Sequence, residues 1–297
     1  MKYTKPSLTF TEQADLLIKR GLLADRAELI ERLNAVSYYR LSAYWYTFRQ
    51  IDSDFLLPGT TLDTVWRRYV FDRQLRLLTM DAIERVEIAL RTQLVNCHTL
   101  ACGSFGYLDR ANLPRMSVEQ HRLFLEKIRN EAKQSREDFV IHYFEKYTSE
   151  TDLPLWMASE LMTFGNMLSL FLHADKAIKT SIANEYGISD TVLESWLLSL
   201  NFVRNICAHH SRLWNRGFGN KQPAIPRAHK HLDWHYPVSI KPDRIFGILS
   251  VLHFLLKQVA PNSQWRDRFS TLLETYNDIP IRFMGFPDNW KDSPIWR

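Results

Sequence analysis

Cysteine and glycine are both scarce in this chain of 297 residues, with three of the first and ten of the second. Three cysteines (Cys97, Cys102 and Cys207) are odd in number and too few for a disulfide framework, which predicts a reducing, cytoplasmic setting. Cys97 and Cys102 stand five apart, not at the pair spacing of a zinc knuckle, and read as small packing residues. No apolar stretch approaches the roughly 18 residues of a membrane span. The longest candidate, Gly247 to Leu256, is broken by His253 and closed by Lys257. The opening residues, Met1-Lys2-Tyr3-Thr4-Lys5-Pro6, lack the apolar run of a signal peptide. Internal repeats and low-complexity segments are absent too, so the membrane-spanning, disulfide-stapled and repeat classes are set aside. What remains is an ordinary globular composition, 45% hydrophobic and 24% charged, long enough for one large domain or two modest ones.

Few glycines and apolar residues at helical spacing predict a mostly α chain. Short helices are expected over 11–20 (Thr11 as N-cap, Gly21 as stop), 25–34 and the aromatic-rich 38–49. From Thr61 to about Thr99 no proline or glycine intervenes, and Val65, Tyr69, Leu75, Leu78, Ala82, Val86, Leu90 and Leu94 form an apolar stripe. The other faces alternate in sign, from Arg67, Arg68, Asp72, Arg73 and Arg76 to Asp81, Glu84, Arg85, Glu87 and Arg91. This segment is expected to be the spine of the fold, or a pair of helices bent in the middle. Further helices are expected over 117–130, 135–147, 153–173 with Gly165 inside, 175–186, from a Ser189 cap onward, 243–259 and 263–276. Prolines and glycines between Gly217 and Pro242 predict a loop.

Charge is unevenly placed. Between Arg204 and Arg244, eight Lys/Arg face two Asp, a surplus of six that leaves the rest of the chain at −1 of the net +5. Half of the ten histidines lie in that window. A basic segment on a near-neutral body predicts a local polyanion site. At its head stands Arg204-Asn205-Ile206-Cys207-Ala208-His209-His210-Ser211-Arg212-Leu213-Trp214-Asn215-Arg216. Arginine holds phosphate through a planar fork of donors, and histidine gives or takes a proton near neutral pH.

On an ideal helix the five-residue step from Arg204 to His209 turns by about 140°, so the two do not share a face, whereas Asn205 and His209 do. The pair can work together if the helix ends or distorts near Ala208, or if two copies of the chain meet there, because a two-fold interface presents the same patch twice. Such a pocket can cut RNA. One histidine takes the 2′-OH proton, the other protonates the departing 5′-oxygen, and the arginines hold the phosphate. DNA lacks the 2′-OH, and the chemistry needs no metal or other cofactor. The competing structural reading is a basic cluster complementing the dipole at a helix C-terminus. Arg212 and Arg216 would share a helical face if the helix continued.

Other residues invite weaker readings. The block Tyr38–Phe48 can stack on bases, with Arg40 and Arg49 on phosphates, or fill a core. Glu84 and Glu87 can meet active-site arginines, or pair with Arg91. His229, His231 and His235 with Cys207 and His209 match no standard zinc spacing, so no metal site is expected.

Six blocks give the chain a family likeness. They are Tyr3-Thr4-Lys5-Pro6-Ser7-Leu8-Thr9, Tyr38-Tyr39-Arg40-Leu41-Ser42, Phe71-Asp72-Arg73-Gln74-Leu75-Arg76, Glu84-Arg85-Val86-Glu87-Ile88-Ala89-Leu90-Arg91, Leu153-Pro154-Leu155-Trp156-Met157 and Arg204 through Arg216. In these the sequence resembles the Abi-like family of bacterial abortive-infection proteins, of the D/F type. The resemblance implies the HEPN superfamily, whose helical bundles carry an Arg, four to six residues, then a His. Arg204 and His209 match that pattern, with Asn205 as the polar residue after the Arg. His210 matches it as well, with five intervening residues, so either histidine can be the catalytic one. The resemblance further implies an all-α HEPN-type bundle with additional N- and C-terminal helices. Residues 1–60 would form an N-terminal helical region and 61–297 the HEPN-like domain with its basic loop 217–242, or the whole one continuous domain.

The function so implied is a metal-independent endoribonuclease of phage defence, active as a homodimer, with Arg204 and His209 catalytic. Arg212, Arg216, Lys221, Arg227, Lys230 and Arg40 would bind RNA. Restraint would come from an antitoxin or a structured non-coding RNA. The alternative is a non-catalytic RNA-binding module of the same family.

Overall fold

In the structure, a computed structural model, Lys2 and residues 6–297 are described; the Tyr3-Thr4-Lys5 part of the first family block lies outside them. The described residues are all-α, with twelve α-helices and no sheet. They divide into two compact units, Met1–Leu77 with Asp267–Pro280, and Leu78–Arg266 with Ile281–Arg297.

The first unit begins with α1 (Phe10–Lys19), α2 (Arg26–Val36) and α3 (Tyr38–Trp45). Thr9, not Thr11, caps α1: its hydroxyl accepts from the Glu12 amide while the Glu12 carboxylate takes the Thr9 amide, a reciprocal capping box. Asp25 caps α2. Ser37 ends α2 and starts α3 with φ +66° and ψ 148°, a conformation that costs any residue with a side chain. The core is made by Ala14, Leu17, Leu29, Leu33, Leu41, Tyr44 and Val65. Helix α4 (Leu62–Cys102) is one continuous helical segment of 41 residues.

Part of α4 departs from the expected charged outer face. Asp72 is fully buried and Arg76 nearly so. Tyr44 donates to Asp72 at 2.6 Å, and Arg76 pairs with Asp72 and lies 3.3 Å from the Tyr44 hydroxyl. Burial first, then the Asp72 charge, pushes the Tyr44 hydroxyl far above its ordinary range. Arg68 bonds Thr47 and lies over the Phe48 ring. Charges buried as a bonded set behave as one structural unit. Arg67 closes the unit by pairing with Asp278 at 2.7 Å.

In the second unit, α5 (Val118–Gln134) and α6 (Asp138–Lys146) follow a Gly103–Asn112 segment of turns. The expected helix over 153–173 breaks. α7 (Leu155–Ala158) passes into a 3-10 turn, Met162 is extended, and the Thr163 hydroxyl caps a new helix, α8 (Phe164–His173). A threonine two residues before Gly165 restarts the helix, so Gly165 sits in its first turn. α9 (Lys176–Glu185), α10 (Asp190–Ala208) and α11 (Ile245–Val259) complete this unit's core. α12 (Trp265–Thr275) begins in it and continues into the first unit. Among the described residues no helix is long and apolar enough to cross a membrane.

Candidate functional site

Ser189 caps α10 through the Val192 amide, and Leu193, Trp196, Leu197, Leu200, Val203, Ile206 and Cys207 make its buried face. The Trp196 indole donates to Ala224 O at 2.7 Å, and the Ala224 amide donates to Ser195 Oγ at 2.9 Å. These two bonds hold the basic loop on the helix, and Trp234 lies against Trp196 with ring centres 5.3 Å apart.

The end of α10 is the centre of the candidate site. His209 is the C-cap, with φ −84°. The His210 amide donates to Cys207 O at 3.0 Å and the Ser211 amide to Ile206 O at 2.9 Å. That pair of bonds is a Schellman motif, which needs a left-handed residue just past the cap. The position normally takes glycine; here His210 holds it at φ +54°. The backbone therefore leaves the helix at His210, one residue after the proposed catalytic His209.

The motif residues point different ways. Asn205 and His209 are exposed, four apart on the solvent side of α10, and Arg204 is half-buried. Arg204 acts on Glu87 of α4, a half-buried carboxylate that pairs with Arg91 at 3.0 Å. Burial raises the Glu87 carboxyl above its ordinary value, and the Arg91 and Arg204 charges draw it partly back. Arg91 also donates to Ser159 O at 2.9 Å and Met162 O at 3.0 Å, tying α4 to the break before α8. Glu87 thus combines the two readings open to it: it pairs with Arg91, and its charge also acts on Arg204. The i,i+4 spacing to Arg91 is visible in the sequence, but nothing there reports the second neighbour.

Arg212 and Arg216 do not share a helical face, because the helix has stopped at Ala208; Arg216 Nε donates instead to the Arg212 carbonyl at 2.8 Å. Lys221 is exposed on a 3-10 turn, and Arg227 and Lys230 are exposed further along the loop. Arg40 lies on α3 in the first unit, whereas the other nine candidate residues belong to the second. His235 Nε2 meets Pro226 O at 2.7 Å, and His231 is drawn below its ordinary pKa by burial and by Lys230 and His229. Among the described residues no three His, Cys, Asp or Glu side chains gather as metal ligands.

The family profile described as Abi-like protein matches residues 31–215. The chain belongs to the Abi-like family. The matched span covers α4 through the end of α10, and four of the six sequence blocks fall wholly within it. The block at 3–9 lies before it, and the last block runs one residue past it, to Arg216. Membership points to an abortive-infection-type function, and it is consistent with the HEPN superfamily. No curated protein and no solved structure matches this Abi-like chain.

Proposed function

We propose that this Abi-like protein is a metal-independent, HEPN-type endoribonuclease whose active site is completed between two copies of the chain. The observation that carries the reading is the end of α10. Arg204 and His209 flank the last turn of one helix, and His209, still at a helix-like φ, is exposed just before the backbone departs. Its side chain leaves at close to the helical angle, so about 140° still separates it from Arg204. Arg204 and Glu87 influence each other while His209 faces solvent, which favours partners supplied by a second chain.

The exposed side of α10 offers a seam for that chain. Thr191, Leu198 and Asn205 are exposed at seven-residue spacing along the helix, and Leu198 is 45% exposed. A two-fold crossing of the two helices near Asn205, at the C-terminal end of this seam, is isologous, and it would bring two copies of Arg204, Asn205 and His209 to one cleft. There, one imidazole removes the 2′-OH proton as the 2′-oxygen bonds to phosphorus. The bond from phosphorus to the 5′-oxygen breaks, and the other imidazole delivers a proton to that oxygen. The guanidinium groups hold the non-bridging oxygens as charge builds. The products are a 2′,3′-cyclic phosphate and a 5′-hydroxyl. Arg212, Arg216, Lys221, Arg227 and Lys230 would hold the flanking strand, and an antitoxin or structured RNA would keep the dimer silent.

Arg204→Ala and His209→Ala are the test, with cleavage of a labelled RNA followed in excess EDTA and product ends identified. The expected result is at least a hundredfold loss in each variant, with folding and dimerisation intact and cyclic-phosphate ends in the wild type. Cleavage surviving both substitutions would remove the catalytic assignment. RNA binding that is weakened but still strongly salt-dependent in the arginine variant and little changed in the histidine one, with no cleavage by any form, would identify a binding module instead.

A further inference from the structure

The first unit carries a cleft that the ribonuclease reading does not use. It is built around one carboxylate held by two arginines. Arg20 donates to Asp54 Oδ2 at 2.7 Å, and Arg49 pairs with Asp54 Oδ1. Arg20 also donates to the Tyr38 hydroxyl at 2.8 Å, and Arg49 Nε to Ser53 O at 3.0 Å. The two guanidinium groups are therefore fixed side by side, and Asp54 neutralises only one of them. Two adjoining cavities, of about 310 and 630 Å3, open beside this cluster and share Arg20, Tyr38, Tyr39 and Asp54. Either is large enough for a nucleotide-sized ligand.

Aromatic rings stand at the mouth. Tyr39 is 89% exposed and Tyr46 64% exposed, whereas Tyr44 and Trp45 of the same segment are core residues. Arg49 lies 5.5 Å from the Tyr46 ring centre. The turn that presents Tyr38 and Tyr39 is held by Ser37 at φ +66°, a strained geometry for a residue with a side chain, and Ser37 itself lines the larger cavity. Strain of this kind concentrates where a ligand is gripped.

We propose that this cleft binds one nucleotide of a single-stranded RNA, its phosphate replacing Asp54 between Arg20 and Arg49 and its base stacking on Tyr39 or Tyr46. Paired arginines recognise phosphate through parallel donors, and base–tyrosine stacking tolerates any base. Asp54 is then a stand-in anion that the incoming phosphate must displace, so it tunes affinity downward. The nucleotide chemistry follows from the cleft itself; the choice of RNA rests on the ribonuclease reading.

The test uses the full chain carrying His209→Ala, to prevent cleavage, and fluorescence anisotropy with a mixed-sequence eight-nucleotide single-stranded RNA. Tyr39→Ala is expected to weaken binding about tenfold, and the change touches no core contact. Asp54→Asn is expected to tighten binding several-fold at low salt, a direction that a purely structural role for Asp54 does not produce. Unchanged affinity in both variants overturns the proposal. So does equal binding of duplex RNA, or competition by a phosphotyrosine peptide with no RNA binding at all. A chain that binds here but never cleaves RNA leaves the cleft standing and removes the nuclease. A nuclease indifferent to both changes does the opposite.

Discussion

His253 lies in α11 with its ring stacked on Trp265 and Trp296, centroids 6.1 and 5.0 Å away, and its Nε2 has no hydrogen-bond partner. Burial first, then the Lys257 and Arg266 charges, holds this imidazole down to about 4. A folded-state pKa below the unfolded value means that protonation favours unfolding. The stability contribution is whole above about pH 6.5 and drains away as pH falls toward 4. At pH 4.5 the loss amounts to roughly 2–3 kcal/mol. Urea midpoints at pH 7.5 and 4.5 measure it: His253→Phe should shrink the acid loss relative to wild type. Equal losses would show that the ring carries no such burden. At this same scale Arg204, His209 and His210 could be picked out as candidates from residue type alone, because arginine suits phosphate and histidine suits proton transfer. The conformation of His210 was not, since a left-handed histidine leaves none of the trace that glycine would.

Helices were mostly legible because their caps are short-range chemistry. Ser189 caps the helix expected of it, and Asp25 and Ser117, where helices were expected to begin, are the caps of theirs. The failures are also physical. Thr163 restarts a helix in mid-pattern, and the apolar periodicity on either side of it hides the break. Asp72 and Arg76 look like a solvated i,i+4 pair, yet a tyrosine 28 residues away from Asp72 makes them core. Arg91 shows what such tertiary ties are worth. It holds two carbonyls of the break and the half-buried Glu87. Arg91→Ala leaves all three short of a partner and should cost roughly 2–4 kcal/mol in chemical denaturation. Glu87→Gln, which retains an acceptor and removes the buried charge, should cost clearly less. A reversed order would mean that the carboxylate, not the arginine, anchors this contact.

For the molecule as a whole, the proposed composite site would make activity a property of pairs. A tenfold excess of chain carrying both Arg204→Ala and His209→Ala should draw wild-type chains into mixed pairs and suppress their cleavage of RNA several-fold. Undiminished turnover per wild-type chain would mean that each copy works alone. The uneven charge that singled out residues 204–244 was legible from composition; the two-unit division was not, because its boundary falls inside α4, where the sequence has no linker to notice. That placement has a practical consequence for dissecting the protein. Cutting the gene between Leu77 and Leu78 would open a helix rather than a loop, stranding up to four carbonyls on one fragment and four amides on the other. The first fragment would also lose the returning Asp267–Pro280 segment, including the carboxylate that Arg67 holds. Separating the two units by truncation therefore demands a new cap on each side of the cut and a circularly rearranged chain, not a stop codon.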